Sequence, residues 1–237
     1  MYLNKKISVL FLVHNEVATI EEDIIKIKNS LNGYINYEII IVQDGSTDGT
    51  YEKLDEIREK YNIKLNSIKN RRGYTRAFLD GIRDCGEKVI FFSDTGGKYD
   101  FNNIKKFLKE FFDKDVDLLS GFRINRKDKY YRQLLTLFYS TLINLFFLKN
   151  YKDYDCGFKI FKKKSLNEII IKKNFTPYLL TSQIFIYFFI FNFKITQLPI
   201  EYLESKNRFS RGLPLNKIPK IIFLSIQNIL KIRFKLK

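Results

Sequence analysis

The sequence predicts an α/β protein whose central sheet is mostly parallel and covered by helices on both faces. Short apolar segments recur along its first half, stretches of helical periodicity separate them, and polar residues follow the apolar segments. The segments are "ISVLFLV" (7–13), "YEIIIV" (37–42), "IKLNSI" (63–68) and "KVIFFS" (88–93). Each is short and rich in β-branched or aromatic residues, as buried strands are. The helical stretches fall at about 17–31, 48–60 and 74–84. In the second, Leu54, Ile57 and Tyr61 share a face opposite Glu52, Lys53, Asp55 and Glu56. Strands alternating with helices imply right-handed crossovers, which collect the strand C-termini on one edge. That edge is where open α/β sheets bind ligands. It gathers His14, Asn15 and Glu16 after the first strand, Gln43, Asp44, Gly45 and Ser46 after the second, and Asp94, Gly96 and Gly97 after the fourth.

The second half is less regular. "YYRQLLTLFYSTLINLFFL" (130–148) and "NFTPYLLTSQIFIYFFIFNF" (174–193) are long and apolar. The latter is uncharged for about the span of a bilayer. Pro177, Ser182, Gln183 and Asn192 interrupt it, which favours a buried or membrane-apposed helix over a transmembrane span. The tail (216–237) combines Lys and Arg with apolar residues and has no acid. Ile222, Phe223, Ile226, Ile229 and Leu230 can share one face there, so a basic amphipathic helix on an anionic membrane is expected, or a helix docked on its own domain. The division expected is 1–213 as one domain and 214–237 as this helix.

The 237 residues carry a formal net charge of +16, which admits nucleic acid, an anionic membrane or a phosphorylated substrate as partner. No nucleic-acid recognition motif is present, and the aromatics lie in apolar runs rather than between Lys and Arg, so nucleic acid is not expected. Cys85 and Cys156 lack metal-ligand spacing. With no cleavable signal pattern at the N-terminus, they fit a reducing cytosol.

"SVLFLVHNEVATI", "EIIIVQDGSTDGT", "KVIFFSDTGGKYD" and "DYDCGFKIF" resemble glycosyltransferase family 2, in order and spacing, from about residue 7 to 217. They are most similar to enzymes of the dolichyl-phosphate mannose synthase and polyprenyl-phosphate glycosyltransferase type. The resemblance implies a GT-A fold and an inverting transfer from a nucleotide-diphospho-sugar. A polyprenyl phosphate at the cytosolic membrane face is the preferred acceptor, and a glycan or lipid hydroxyl the alternative. A relative that binds the nucleotide without turnover is the other possibility. By matching position, Glu16 and Asp44 would contact the nucleotide, and Gly73 and Arg76 would belong to a loop closing over the donor. Arg123 and Arg132 would meet phosphates. Lys206, Arg208 and Arg211 would sit in a basic loop over the diphosphate, where guanidinium groups offer paired donors. Asp153 stands at the family's aspartate position, and Asp155 is an additional carboxylate.

Three residues depart from the family pattern. Gln43 replaces the first acid of "DDGS", Gly96 replaces the second acid of Asp-x-Asp, and Gln183 stands where a helix often carries glutamate. Asp94 is left as the sole metal-ligating candidate of the pair. Mg²⁺ or Mn²⁺ remains the expected cofactor, because Mg²⁺ needs only one or two carboxylates besides substrate phosphates. Lys98 could share the cation's task, and the glycine pair could let the backbone approach the sugar or diphosphate closely. A sugar hydroxyl would need a general base, for which Asp153 or Asp155 is the candidate. A phosphate monoester, with a second pKa of about 6, would need none.

Overall fold

The computed structural model describes residues 1–176, 179–203 and 218–234. Seven strands form one sheet: β1 (Tyr2–Val13), β2 (Ile35–Asp44), β3 (Ile63–Ile68), β4 (Val89–Asp94), β5 (Leu118–Ile124), β6 (Phe158–Lys162) and β7 (Ile195–Glu201). Their spatial order is β3-β2-β1-β4-β6-β5-β7, with β6 alone antiparallel to its neighbours. The chain moves outward from β1 to β3, then returns to place β4 on the other side of β1. This reversal opens a crevice at the carboxyl ends of β1 and β4.

The helices are α1 (Ile20–Leu31), α2 (Thr50–Tyr61), α3 (Tyr74–Asp84), α4 (Ile104–Asp113), α5 (Tyr130–Phe147), α6 (Lys163–Lys172), α7 (Leu180–Ile190) and α8 (Ile218–Phe234). On one face, α1, α2 and α4 pack against Val9, Phe11, Ile39 and Ile41. On the other, α3 and α5 to α8 share a core with Leu10, Ile40, Val42 and Phe92. Successive strand residues therefore enter opposite cores, which is why the central strands read as unbroken apolar runs.

The long apolar run at 174–193 contains the helix Leu180–Ile190, buried in the second core. Among the described residues no helix is long and apolar enough to cross a membrane. Gln183, expected from the family pattern to mark a lost acid, lies inside this core. It accepts the Thr176 amide at 2.7 Å and donates to Asn228 Oδ1 at 2.8 Å, tying α7 to α8. The buried side of α8 is Ser225, Asn228, Ile229 and Ile232, so Phe223, grouped with Ile229 in the sequence reading, faces solvent.

Candidate functional site

The loops after β1 and β2 lock together through polar side chains. The Asn15 amide donates to Ser46 Oγ at 3.0 Å, the Thr47 amide to Asn15 Oδ1 at 2.8 Å, and the Glu16 amide to Thr50 Oγ1 at 2.8 Å. Asp44 is buried and uses both carboxylate oxygens on the next loop. It accepts the Arg72 amide at 2.7 Å and the Gly73 amide at 2.8 Å. Gly73 is in the left-handed region (φ +90°) and leads into α3, where Arg76 is exposed. Gln43 accepts the Gly45 amide at 3.0 Å, an acceptor's task that needs no charge.

At the end of β4, Asp94 points into the crevice. Its amide donates to the Gly157 carbonyl at 2.8 Å, and Tyr74 donates its hydroxyl to Asp94 Oδ1 at 3.0 Å. Gly157 lies directly against the carboxylate, and a Cβ there would collide with Asp94. Tyr74 is 39% exposed as a residue, yet desolvation of its phenol and then the nearby Asp94 raise its pKa well above the ordinary value, so it remains a donor. Beyond Asp94 the chain turns through Gly96 (φ +86°) and Gly97 (φ +68°) to half-buried Lys98. Burial opposes the charge on Lys98, but Asp94, Tyr202 and Glu16 outweigh it and raise its pKa. Arg132, in the first turn of α5, is close enough to oppose that shift.

Arg123 and Asp153 meet at the same edge and engage each other. Arg123 Nε lies 2.6 Å from Asp153 Oδ2 and Nη2 lies 2.9 Å from Oδ1, a two-pronged pair. Burial would raise the Asp153 carboxyl, but Arg123 overrides it and holds the carboxyl below its usual range. Asp155 differs from Asp153, two residues before it. It accepts a hydrogen bond from Thr181 Oγ1 at 3.1 Å, it is half-buried, and burial followed by Asp153 raises its pKa. Asp155 therefore has the less buried and more basic carboxyl of the two. Lys206, Arg208 and Arg211 lie outside the described residues.

A family model for glycosyl transferase family 2 matches residues 8–170, more than half of the chain. The chain belongs to glycosyl transferase family 2. It is 30% identical over 136 residues to the dolichol-phosphate mannosyltransferase of Pyrococcus furiosus, covering 55% of this chain and 38% of that one. It is 28% identical over 185 residues to the dolichyl-phosphate beta-glucosyltransferase of Dictyostelium discoideum, covering 70% and 57%. The chain thus spans about two fifths to three fifths of the length of these relatives. Glucosyl-3-phosphoglycerate synthase of Mycobacterium tuberculosis, solved with Mn²⁺, UDP and glucosyl-3-phosphoglycerate, has the same GT-A fold. It superposes with a TM-score of 0.72 at 19% identity, covering 97% of this chain and 80% of that one.

Set against this family, the crevice holds Asp94 where the Asp-x-Asp pair begins. Among the described residues, no three His, Cys, Asp or Glu side chains gather as a metal-ligand set. A divalent cation held chiefly by substrate phosphate oxygens would need only one or two protein carboxylates, and Asp94 is the carboxylate at the motif position. Two residues of the site escaped the sequence reading, Tyr74 and Asp23. Asp23 on α1 accepts the Gly96 amide at 2.7 Å and the Gly97 amide at 3.3 Å. Its signal was an acid among Ile20, Ile24 and Ile27, on the helix face that goes inside.

Proposed function

We propose that this chain transfers a glycosyl group from a nucleotide-diphospho-sugar to an acceptor, with inversion at the anomeric carbon. The observation that carries this reading is the convergence of Glu16, Asp44, Asp94 and Lys98 on the β1/β4 crevice of a family 2 fold. Glu16 and Asp44 lie on the nucleotide side. The acceptor oxygen attacks the anomeric carbon as the bond to the diphosphate breaks, and the nucleoside diphosphate leaves with the bonding pair. The transition state is oxocarbenium-like and charge grows on the diphosphate, so positive groups must face it. Lys98 and Arg132 are such groups, and the 206–211 segment supplies three more in sequence. A bound Mg²⁺ or Mn²⁺ at Asp94 would neutralise further diphosphate charge.

A polyprenyl phosphate is the acceptor best supported by the named relatives, and its anionic oxygen requires no base. Asp155 specifically favours a second reading, a hydroxyl acceptor whose proton passes to Asp155. The test begins with calorimetry of UDP-, GDP- and dTDP-sugars in Mg²⁺ or Mn²⁺, repeated in EDTA. One donor should bind tightly and weaken in EDTA; no binding to any would defeat the reading. The bound donor is then offered polyprenyl phosphate and hydroxyl acceptors. Transfer to the phosphate alone, insensitive to Asp155→Asn, supports the first acceptor class. Donor binding with transfer to neither would mark a non-catalytic relative.

Contact with the cytosolic face of a membrane belongs to this proposal. Leu134, Leu137, Phe138, Leu145 and Leu148 are exposed along and just past α5, at spacings of three, four and seven residues. Phe223 projects from α8, which packs on α5. Neither helix carries an acid, while Lys127, Lys129, Lys149, Lys220, Lys231 and Arg233 are exposed on or beside them. An apolar stripe flanked by cations suits an anionic bilayer. Leu137→Glu with Phe138→Glu should weaken binding to phosphatidylglycerol vesicles by at least about tenfold, since each large apolar side chain contributes roughly 1.5–3 kcal/mol on burial. Unchanged co-sedimentation would remove this face from the proposal.

A further inference from the structure

The turn between Asp94 and Lys98 lies between two carboxylates, Asp23, which the family motifs do not include, and Glu16, which they do. Below it, Asp23 is 2% exposed on the inner face of α1. A single oxygen, Asp23 Oδ2, accepts both glycine amides, from Gly96 at 2.7 Å and from Gly97 at 3.3 Å. Burying a carboxylate is costly, and an aliphatic residue would suit that helix face. Two backbone donors offset part of that cost, although burial still leaves the Asp23 pKa raised, and hydrogen bonds to an ionised acceptor are the stronger kind. Above the turn stands Glu16, fixed by the Thr19 hydroxyl at 2.7 Å. A Cβ at residue 96 would lie 3.0 Å from Glu16 Oε2 and 3.2 Å from Oε1, and φ at +86° already disfavours any side chain.

We propose that Asp23 is the positioning residue of the diphosphate loop, and that Gly96 is required as glycine rather than being a lost acid. Asp23 fixes the glycine turn through its amides, and the turn sets where Asp94 and Lys98, on either side of it, present their charges. A side chain at 96 would crowd the Glu16 carboxylate and sit at a strained φ, so the second acid of Asp-x-Asp is disfavoured here. The inference rests on the reading that this turn faces a nucleoside diphosphate.

The test titrates the full chain with UDP, GDP, UMP and GMP by calorimetry in Mg²⁺, for wild type, Asp23→Leu, Asp23→Asn and Gly96→Asp. Thermal melting and hydrogen exchange of the 94–98 amides run alongside. Asp23→Leu should bind the diphosphate about tenfold or more weakly, the worth of a charge-assisted hydrogen bond. Monophosphate affinity should hold, and exchange should quicken within 94–98. Asp23→Asn keeps an acceptor oxygen and should fall between. Gly96→Asp should weaken the diphosphate, and Asp23→Asn decides the role of Asp23 if Asp23→Leu does not fold. Unchanged diphosphate affinity in Asp23→Leu, or an equal loss for mono- and diphosphates, would overturn the role of Asp23, and tighter binding by Gly96→Asp would overturn the requirement for glycine. If the wild type binds neither diphosphate, the donor reading itself fails and this assignment falls with it.

Discussion

Replacing Asp94 by alanine is expected to lower sugar transfer by at least about 10²–10³-fold, the range seen when one preorganised electrostatic contact to a transition state is removed. The melting temperature should stay within a few degrees, because the Asp94 side chain supports no core packing. Asp94 is the carboxylate at the β4 terminus, held by Tyr74 on one oxygen and backed by Gly157. Asp94→Asn keeps an acceptor for Tyr74 but removes the charge, so it should lose EDTA-sensitive donor binding before it loses stability. Gly157→Ala supplies an independent check. Its new methyl group would displace the carboxylate, and transfer should fall although no polar group has been removed. Transfer assays with labelled donor, read beside thermal melts, decide the point. Transfer by Asp94→Ala at the wild-type rate would mean that the chemistry lies elsewhere.

The first half of the fold was legible because its strands are buried on both faces. Phe11 enters one core and Leu10 the other, so the run "ISVLFLV" needs no alternation to announce a strand. Helix patterning then gave α1 to α3, and the crossover rule gave the edge on which Glu16, Asp44 and Asp94 meet. Beyond β4 the signals weaken. β6 runs against its neighbours, and five residues of it carry little pattern. The uncharged run around α7 reads alike for a membrane and for a core. Its Gln183 bonds Asn228, 45 residues away, a pairing that no local spacing announces.

Within the site, residues at strand ends were legible and the partners that hold them were not. Asp44 was read as a nucleotide contact, and nothing local revealed that the Arg72 and Gly73 amides would come to it. Asp23 is 73 residues from the glycine it holds, and backbone amides have no letter in the sequence. Asp153 and Asp155 carry the same functional group. What separates them is Arg123, delivered by β5 to one and not to the other. Residue type thus located the candidate groups, and what distinguishes like groups among them followed from the tertiary contacts.

Arg123 and Asp153 accordingly yield the largest expected effect on stability. Asp153 is buried, the Arg123 side chain is 12% exposed, and each satisfies the other through two hydrogen bonds of 2.6 and 2.9 Å. Removing one partner strands a buried charge, so Arg123→Ala or Asp153→Ala should each cost about 3–5 kcal/mol. Arg123→Met combined with Asp153→Leu should recover most of that loss, because an apolar pair leaves no charge unpaired. The Asp153 carboxyl is held below its usual range, burial being outweighed by Arg123. Its contribution is therefore present above the ordinary carboxylate pKa and is lost as the pH falls through the folded value. Denaturant unfolding of the four proteins near neutral and at acid pH should show the single variants losing that acid sensitivity. The outcome that defeats this account is Arg123→Ala with wild-type stability and weakened binding of the nucleoside diphosphate. Arg123 would then be a phosphate ligand that leaves its carboxylate when the donor arrives, and Asp153 would be freed as a candidate base. With stability lost instead, the pair anchors the 153–155 turn, where Asp153 Oδ1 accepts the Asp155 amide at 3.0 Å. Asp155 is then the carboxylate left to meet an acceptor.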